Sequence, residues 1–437
     1  MSTAHATPGS WEGGRKPMQT RDLAEFVRST DPDLLRKTTE FAAYVGTLRE
    51  AGFYQRVYRV ELLGPLDHRI TVRDPFTGEP REMVCLDSNS YLGLHLHPKV
   101  RQAVHAAIDD VGIGTPSAQV LSGYNRYLAA LEERLSALHR RESCLIFPSG
   151  YQANVGSMTG LLRPGDLVLL DGYCHASLQD GCRYSGAEVT RFHHSRLDEA
   201  EAILAARRDL AHSALIATDG VFSMHGDVAD LPRLLALARR HRARLYVDDA
   251  HGLGVLGPQG RGIEEEFACE GAVDVLMGTF SKATGAAGGY VCGDRALTDY
   301  LRFFASGALF TASLPAPVCA GVEAALAVMA DEPWHRERLW ANTRWLSTAL
   351  RDAGLCVPER VTPIVPVAVG AEDLLPPLAI GLYRAGIKVG LVQYPAVPHG
   401  HAALRLTVNA RHDEADLARV VEVLAELAHR FPLPRPA

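Results

Sequence analysis

The 437-residue sequence predicts an α/β protein: a large domain with a mostly parallel sheet covered by helices, and a small C-terminal α+β domain. Three observations predict it. Short apolar runs recur at 167–170, 188–192, 215–218, 244–247, 275–278 and 290–292, several apolar at nearly every position. Strands buried on both faces read this way, whereas half-exposed strands alternate. Helical periodicity separates several of the runs, most clearly at 231–240. Finally, Asp219, Asp248 and Lys282 fall at or just past the carboxyl ends of three runs. Open α/β sheets collect their chemistry there.

Taken in order, residues 1–90 read as a tail, a helix and a hairpin segment. Thr, Ser, Gly and Pro mixed with charge through Arg21 predict a disordered tail without the apolar core of a secretion signal. A helix is expected over 35–51, and the alternation Tyr58-Arg59-Val60-Glu61-Leu62 predicts a short strand. Pro75, Gly78 and Pro80 mark a turn between two strands. Residues 91–315 form the large domain, opening with helices at 100–109 and 127–138 before the run of strands. Residues 316–437 form the small domain: helices at 318–329 and 335–353, a strand at 364–369, a helix at 378–385, a strand at 405–408, and a final helix opened by Asp413.

Composition narrows the function. A net charge of -6 without any Lys/Arg-rich run argues against a nucleic-acid partner. No apolar stretch is long enough to span a bilayer. The eight cysteines are scattered, with neither a Cys-x-x-Cys pair nor the spacing of a zinc site. They read as reduced core thiols of a cytoplasmic protein, and no metal is expected.

The chemistry centres on Lys282. Val275-Leu276-Met277-Gly278 leads into Thr279-Phe280-Ser281-Lys282, and Gly285, Gly288 and Gly289 follow. Upstream, another apolar strand ends in Asp248-Asp249-Ala250-His251. A strand-end carboxylate and a later strand-end lysine are what pyridoxal 5'-phosphate (PLP) requires. The lysine forms a Schiff base with its aldehyde, and the carboxylate keeps its ring nitrogen protonated. Ser149-Gly150 opens a helix whose backbone N–H groups suit a phosphate. Thr279 and Ser281 add hydroxyls. His175, after a strand end, is expected over the ring face, with His251 and Ser223 as donors to the phenolic oxygen. Singly, each is as well explained as an ordinary loop residue or a capped helix; in this order they form a set.

The ordered motifs resemble the α-oxoamine synthases, a group within the fold-type I PLP-dependent transferases, from about residue 87 to 427. The markers are Asn89-Ser90-Tyr91-Leu92-Gly93, Ser149-Gly150-Tyr151, His175-Ala176-Ser177, Asp219-Gly220-Val221-Phe222-Ser223-Met224, Asp248-Asp249-Ala250-His251, Thr279-Phe280-Ser281-Lys282, Phe310-Thr311 and Leu404-Arg405-Leu406-Thr407. The resemblance implies that Lys282, His175 and Asp248 are catalytic. It implies that the cofactor is also held by His251, Ser223, Thr279 and the backbone at Gly150 and Tyr151. Thr311 would reach the phosphate of a neighbouring subunit in a homodimer with shared active sites. Arg405 would grip the amino-acid carboxylate, and Asn89 would lie near the substrate. The implied partners are an amino acid and an acyl-CoA or acyl-carrier protein. They would condense with loss of CO2 to an α-amino ketone and a free thiol.

The chain departs from the family pattern at Ala312, where a hydroxyl is common, and at Leu128, where His is frequent. Gln119 takes a position that is often Arg, and His225 one that is usually Asp. These point to an altered acyl or amino-acid pocket and leave the catalytic set intact. The alternatives are an aminotransferase or β-hydroxy-amino-acid aldolase of the same fold, or a non-catalytic partner subunit. The presence of Lys282, Asp248 and His175 together disfavours the last.

Overall fold

The computed structural model describes Arg21, residues 23–360 and residues 362–435. The expected tail therefore lies almost entirely outside the described residues. The chain first forms a hairpin of β1 (Arg69–Arg73) and β2 (Pro80–Leu86), turned around Gly78 at φ 78 as the Pro/Gly spacing predicts. Seven strands follow: β3 (Ser143–Phe147), β4 (Leu167–Asp171), β5 (Glu188–Phe192), β6 (Ala214–Asp219), β7 (Arg244–Asp248), β8 (Val275–Thr279) and β9 (Gly289–Gly293). The last three are β10 (Ile364–Gly370), β11 (Ile387–Val392) and β12 (Ala402–Thr407).

Strands β3 to β9 make one sheet in the order β3-β9-β8-β7-β6-β4-β5. Pairings from β8 to β5 are parallel, and β9 runs antiparallel to both its neighbours. Every residue of β4, β6 and β8 is buried, which is why their sequences do not alternate in polarity. Their side chains still divide between two cores. Leu167, Leu169, Ile216, Leu245, Val247 and Leu276 enter one; Val168, Leu170, Leu215, Ala217, Tyr246 and Met277 enter the other. The period of two thus separates two helical layers, each buried Val, Leu, Ile or Met side chain contributing about 1.5–3 kcal/mol.

The second sheet has the order β1-β2-β11-β12-β10. The N-terminal hairpin joins the C-terminal strands through the parallel pair β2–β11. This brings the segment after β2, which begins with Asp87, toward the end of the chain: Lys388 pairs with Asp87 at 3.2 Å.

Three local readings change. Residues 58–62 are not a strand: Arg59 sits at φ 54, which breaks extension, and only Leu62 makes a bridge, to Val72. Strands β3 and β11 were not expected. β11 carries Lys388 and Gly390, which dilute its apolar signal. Gly390 is there because a Cβ would lie 3.2 Å from the Arg405 carbonyl. All eight cysteines are free thiols, six of them buried. Among the described residues, no helix is long and apolar enough to cross a membrane.

Candidate active site

Strands β6, β7 and β8 are neighbours, so their carboxyl ends bring distant loops together. Asp219 and Asp248 stand directly opposite one another in register. Asp248 is 5% exposed, and among the described residues it makes no ion pair. Its Oδ1 accepts from the Ala250 N–H at 3.0 Å and its Oδ2 from Asn154 Nδ2 at 2.6 Å. Asn154, on helix Gly150–Leu161, also donates to Ser177 Oγ at 2.8 Å and accepts from the Tyr246 hydroxyl at 2.9 Å. Ser177 Oγ meets His175 Nδ1 at 2.7 Å. One line of hydrogen bonds therefore runs His175–Ser177–Asn154–Asp248. The backbone N–H of His175 donates to Asp219 Oδ1 at 3.1 Å. Burial, then the charge of Asp248, pushes the Asp219 carboxyl well above its usual range.

Lys282 follows β8, with its Nζ 3.2 Å from Ser281 Oγ. Its pKa is lowered, chiefly by burial; the nearby Asp248 charge opposes this and that of Arg405 adds to it. Thr279 donates to the Gly288 carbonyl at 2.8 Å. The helix opening at Gly150 packs directly against Thr279: a Cβ on Gly150 would lie 3.0 Å from Thr279 Oγ1. Ser149 Oγ caps the Gln152 N–H at 3.1 Å, while the N–H groups of Gly150 and Tyr151 belong to the first turn, which lacks intrahelical acceptors. Only the backbone of Tyr151 takes part in this cradle, since its exposed side chain donates to Asp180 Oδ2 at 2.6 Å.

His251 is buried, and its Nδ1 meets the Tyr91 hydroxyl at 2.6 Å. Burial, then the positive charges of Lys282 and Arg405, holds its pKa well below the usual range, so the ring is neutral. Burial pushes Tyr91 up to about 12, with Arg405 opposing. Tyr91 itself sits at φ 30, a left-handed conformation rarely adopted by aromatic residues.

Arg405, on β12, is 7% exposed and has no carboxylate partner among the described residues. Its Nη2 donates to Asn89 Oδ1 at 3.0 Å, its Nη1 to Thr407 Oγ1 at 2.8 Å, and its Nε to the Ser223 carbonyl. Asn89, Ser223 and Arg405 are thus brought together, though Ser223 contributes its carbonyl to this contact. Thr311 does not join these networks; its hydroxyl donates to the Ala312 carbonyl at 3.4 Å.

The residues present fit PLP. A buried carboxylate that makes no ion pair among the described residues (Asp248) suits a protonated ring nitrogen. A half-buried lysine of depressed basicity lies near it, and the helix opening against Thr279 suits a phosphate. Arg405 is a buried guanidinium without a carboxylate partner among the described residues, which suits a carboxylate ligand.

Asn154, Ser177 and Tyr91 carry much of this geometry, and each lies inside or beside one of the family motifs, where the sequence alone gives it no role. The available signal was Asn154 itself: an amide among Ala153, Gly156, Ser157 and Met158 on the buried side of a helix, where polar groups need partners. Of the departures, Gln119 is buried and donates to the Ile146 carbonyl at 2.7 Å, with Arg302 reaching its Oε1 at 3.5 Å. His225 stacks on Tyr173 with ring centroids 4.4 Å apart.

The seven-stranded sheet and its strand-end site define the fold class of the class I and II aminotransferases, and the chain matches that family over residues 81–424. It is 39% identical over 393 residues to the 8-amino-7-oxononanoate synthase of Geobacter sulfurreducens, covering 89% of this chain and 98% of that protein. It is 38% identical over 414 residues to PigH, the 4-hydroxy-2,2'-bipyrrole-5-methanol synthase of Serratia sp.. That match covers 95% of this chain, which spans 63% of the length of PigH. The structure of a serine palmitoyltransferase from S. paucimobilis with bound PLP and myriocin superposes with a TM-score of 0.85 at 29% identity, covering 91% of this chain and 98% of that one. Within the class I and II aminotransferases, the chain belongs to the α-oxoamine synthase family.

Proposed function

We propose that Lys282, Asp248 and His175 carry out a decarboxylative condensation of a small amino acid with an acyl thioester, releasing CO2 and a free thiol and leaving an α-amino ketone. The chain is a PLP-dependent acyltransferase. The observation that carries the residue assignment is the presence of two buried charged side chains without an ion-pair partner among the described residues, Asp248 and Arg405, near a lysine whose basicity is depressed. Bound PLP supplies an electron sink for negative charge developing at the amino-acid α-carbon.

The protein's own groups do the rest. Asp248, pinned by Asn154, would hold the ring nitrogen, and His175 would cover the ring. Tyr91 meets His251 Nδ1, and with the ring proton on Nε2 His251 would donate to the phenolic oxygen, joined by Ser223. Thr279 and the Gly150 and Tyr151 N–H groups would hold the phosphate. Arg405, with Asn89 beside it, would fix the substrate carboxylate. Lys282 Nζ would take the α-proton and later return one, a task its lowered pKa suits. Thr311 would serve the phosphate site of a second copy, making the working unit a homodimer.

We divide the chain into a large domain (91–315) and a small C-terminal domain (316–437), with 1–90 as a leading segment. The confinement of β3–β9 to one sheet supports the first boundary pair. We also place the protein in the cytoplasm, with its free thiols as support.

The test pairs glycine, alanine and serine with acyl-CoAs of graded length and acyl-carrier protein, measuring thiol and CO2 release. Serine goes first, as the amino acid in the name of the structural relatives. Coupled release, abolished in Lys282→Ala, is expected. Turnover only of 2-oxo acids as amino acceptors overturns the proposal in favour of an aminotransferase.

A further inference from the structure

A second group of ligand-type side chains lies outside the active site. His97 caps helix Pro98–Val111, while Glu332 and His335 lie where helix Ala316–Asp331 gives way to helix Trp334–Asp352. One ligand atom from each of the three falls within 4.8 Å of the others. Glu332 divides its carboxylate. Oε1 holds Lys99 Nζ at 2.9 Å, while Oε2 faces both rings, 3.5 Å from His97 Nε2 and 3.6 Å from His335 Nε2. These separations are long for hydrogen bonds but suit three groups around a common centre. His335 is 6% exposed, and among the described residues neither ring nitrogen has a hydrogen-bond partner. Buried polar groups are rarely left this way, and one aimed at a carboxylate and a second imidazole calls for an occupant.

We propose that His97, Glu332 and His335 bind a divalent transition-metal cation of the Zn2+ type, with solvent completing the coordination. Two imidazole nitrogens and one carboxylate oxygen suit Zn2+, whereas Mg2+ and Ca2+ prefer oxygen alone. Two features act against affinity. Lys99 is paired with the same carboxylate, and His97 Nδ1 accepts from the Lys99 N–H at 3.3 Å. Binding through Nε2 moves the ring proton to Nδ1 and gives up that long bond.

The site has a structural task. His97 ends the segment that carries Asn89, Tyr91 and His95, and His95 packs on the lysine loop: a Cβ on Gly285 would lie 2.7 Å from His95 Cβ. His335 opens the helix whose Asn342 donates to the carbonyls of Asn409 and His412, at 3.1 and 2.9 Å. A cation here staples the substrate-side segment to that helix. Its effect is on stability.

The experiment uses tag-free, PLP-loaded protein stripped with a chelator and titrated with Zn2+ against a chromophoric competitor, with thermal unfolding followed in parallel. Expected are one equivalent of Zn2+ bound, a raised Tm, no response to Mg2+, and at least tenfold weaker binding in His97→Ala, Glu332→Gln and His335→Ala. The exposed-site control His193→Ala keeps the wild-type affinity. His97→Ala, at the edge of the cluster, keeps the test decisive if His335→Ala does not fold. Zn2+ uptake equal in wild type and His97→Ala, or no uptake at all, overturns the proposal. So does an equal response to Mg2+.

Discussion

Replacing Asn154 with Ala is expected to weaken PLP binding without touching any group that contacts substrate. The amide makes three buried hydrogen bonds: to Asp248 at 2.6 Å, to Ser177 at 2.8 Å and from Tyr246 at 2.9 Å. The bond to a charged acceptor is worth about 1.5–3 kcal/mol and each neutral bond about 0.5–1.5 kcal/mol, so stability falls by about 2.5–6 kcal/mol. Only the Asp248 share acts on the cofactor, by letting the carboxylate turn away from its set direction. A loss of about 1.5–3 kcal/mol there weakens PLP affinity roughly 10- to 100-fold. Equilibrium absorbance titration with PLP reads this directly, and thermal unfolding reads stability separately. Ser177→Ala is the internal comparison: it removes the contacts of Ser177 to Asn154 and His175, leaves Asn154–Asp248 in place, and weakens PLP less. A variant Asn154→Ala with lowered Tm but PLP affinity within about twofold of wild type would refute the positioning role.

Three further outcomes follow from the geometry. Lys282→Ala abolishes covalent capture of PLP, seen in the absorbance spectrum, and lowers thiol release by ~10³-fold or more, since the proton-moving group is gone. Arg405→Lys loses the planar fork that reaches Asn89 and the Ser223 carbonyl. It should raise KM for the amino acid about tenfold or more while leaving KM for the acyl thioester near wild type, as steady-state kinetics would show. For His194, burial works against the charge, but hydrogen bonds to Asp171 and Asp227 raise its pKa from 6.5 to about 9. A folded pKa above the unfolded one stabilises fully below about pH 6.5, and that stability is lost as pH rises through about 9. Relative to His194→Gln, wild type should lose on the order of 1–2 kcal/mol across this window, allowing for solvent screening, measured as unfolding midpoints against pH.

The buried centre of the large sheet was legible because β4, β6 and β8 are covered on both faces, so their apolar runs are uninterrupted. Asp219, Asp248 and Lys282 were legible for a related reason: a parallel sheet collects strand ends on one edge, so residues closing successive runs meet there. Strand β11 was hidden by Lys388 and Gly390, whose presence answers to neighbours in space: Val57, whose carbonyl accepts from Lys388, and Arg405 across the strand pair. The strand misread at 58–62 shows the converse. Alternation alone could not reveal the φ of Arg59.

By itself, then, the sequence determined the sheet and the order of Asp219, Asp248 and Lys282 at or just past its strand ends, since these follow from local periodicity. Only the tertiary structure decided which polar groups are satisfied. Asn154 meets Asp248 across 94 residues and Arg405 meets Asn89 across 316, and neither partnership has a local signal. The depressed lysine, the buried carboxylate of Asp248 and the orphaned ring of His335 are likewise tertiary facts. Desolvation and hydrogen-bond supply are set by whichever distant segments close over a group, and sequence spacing does not encode them.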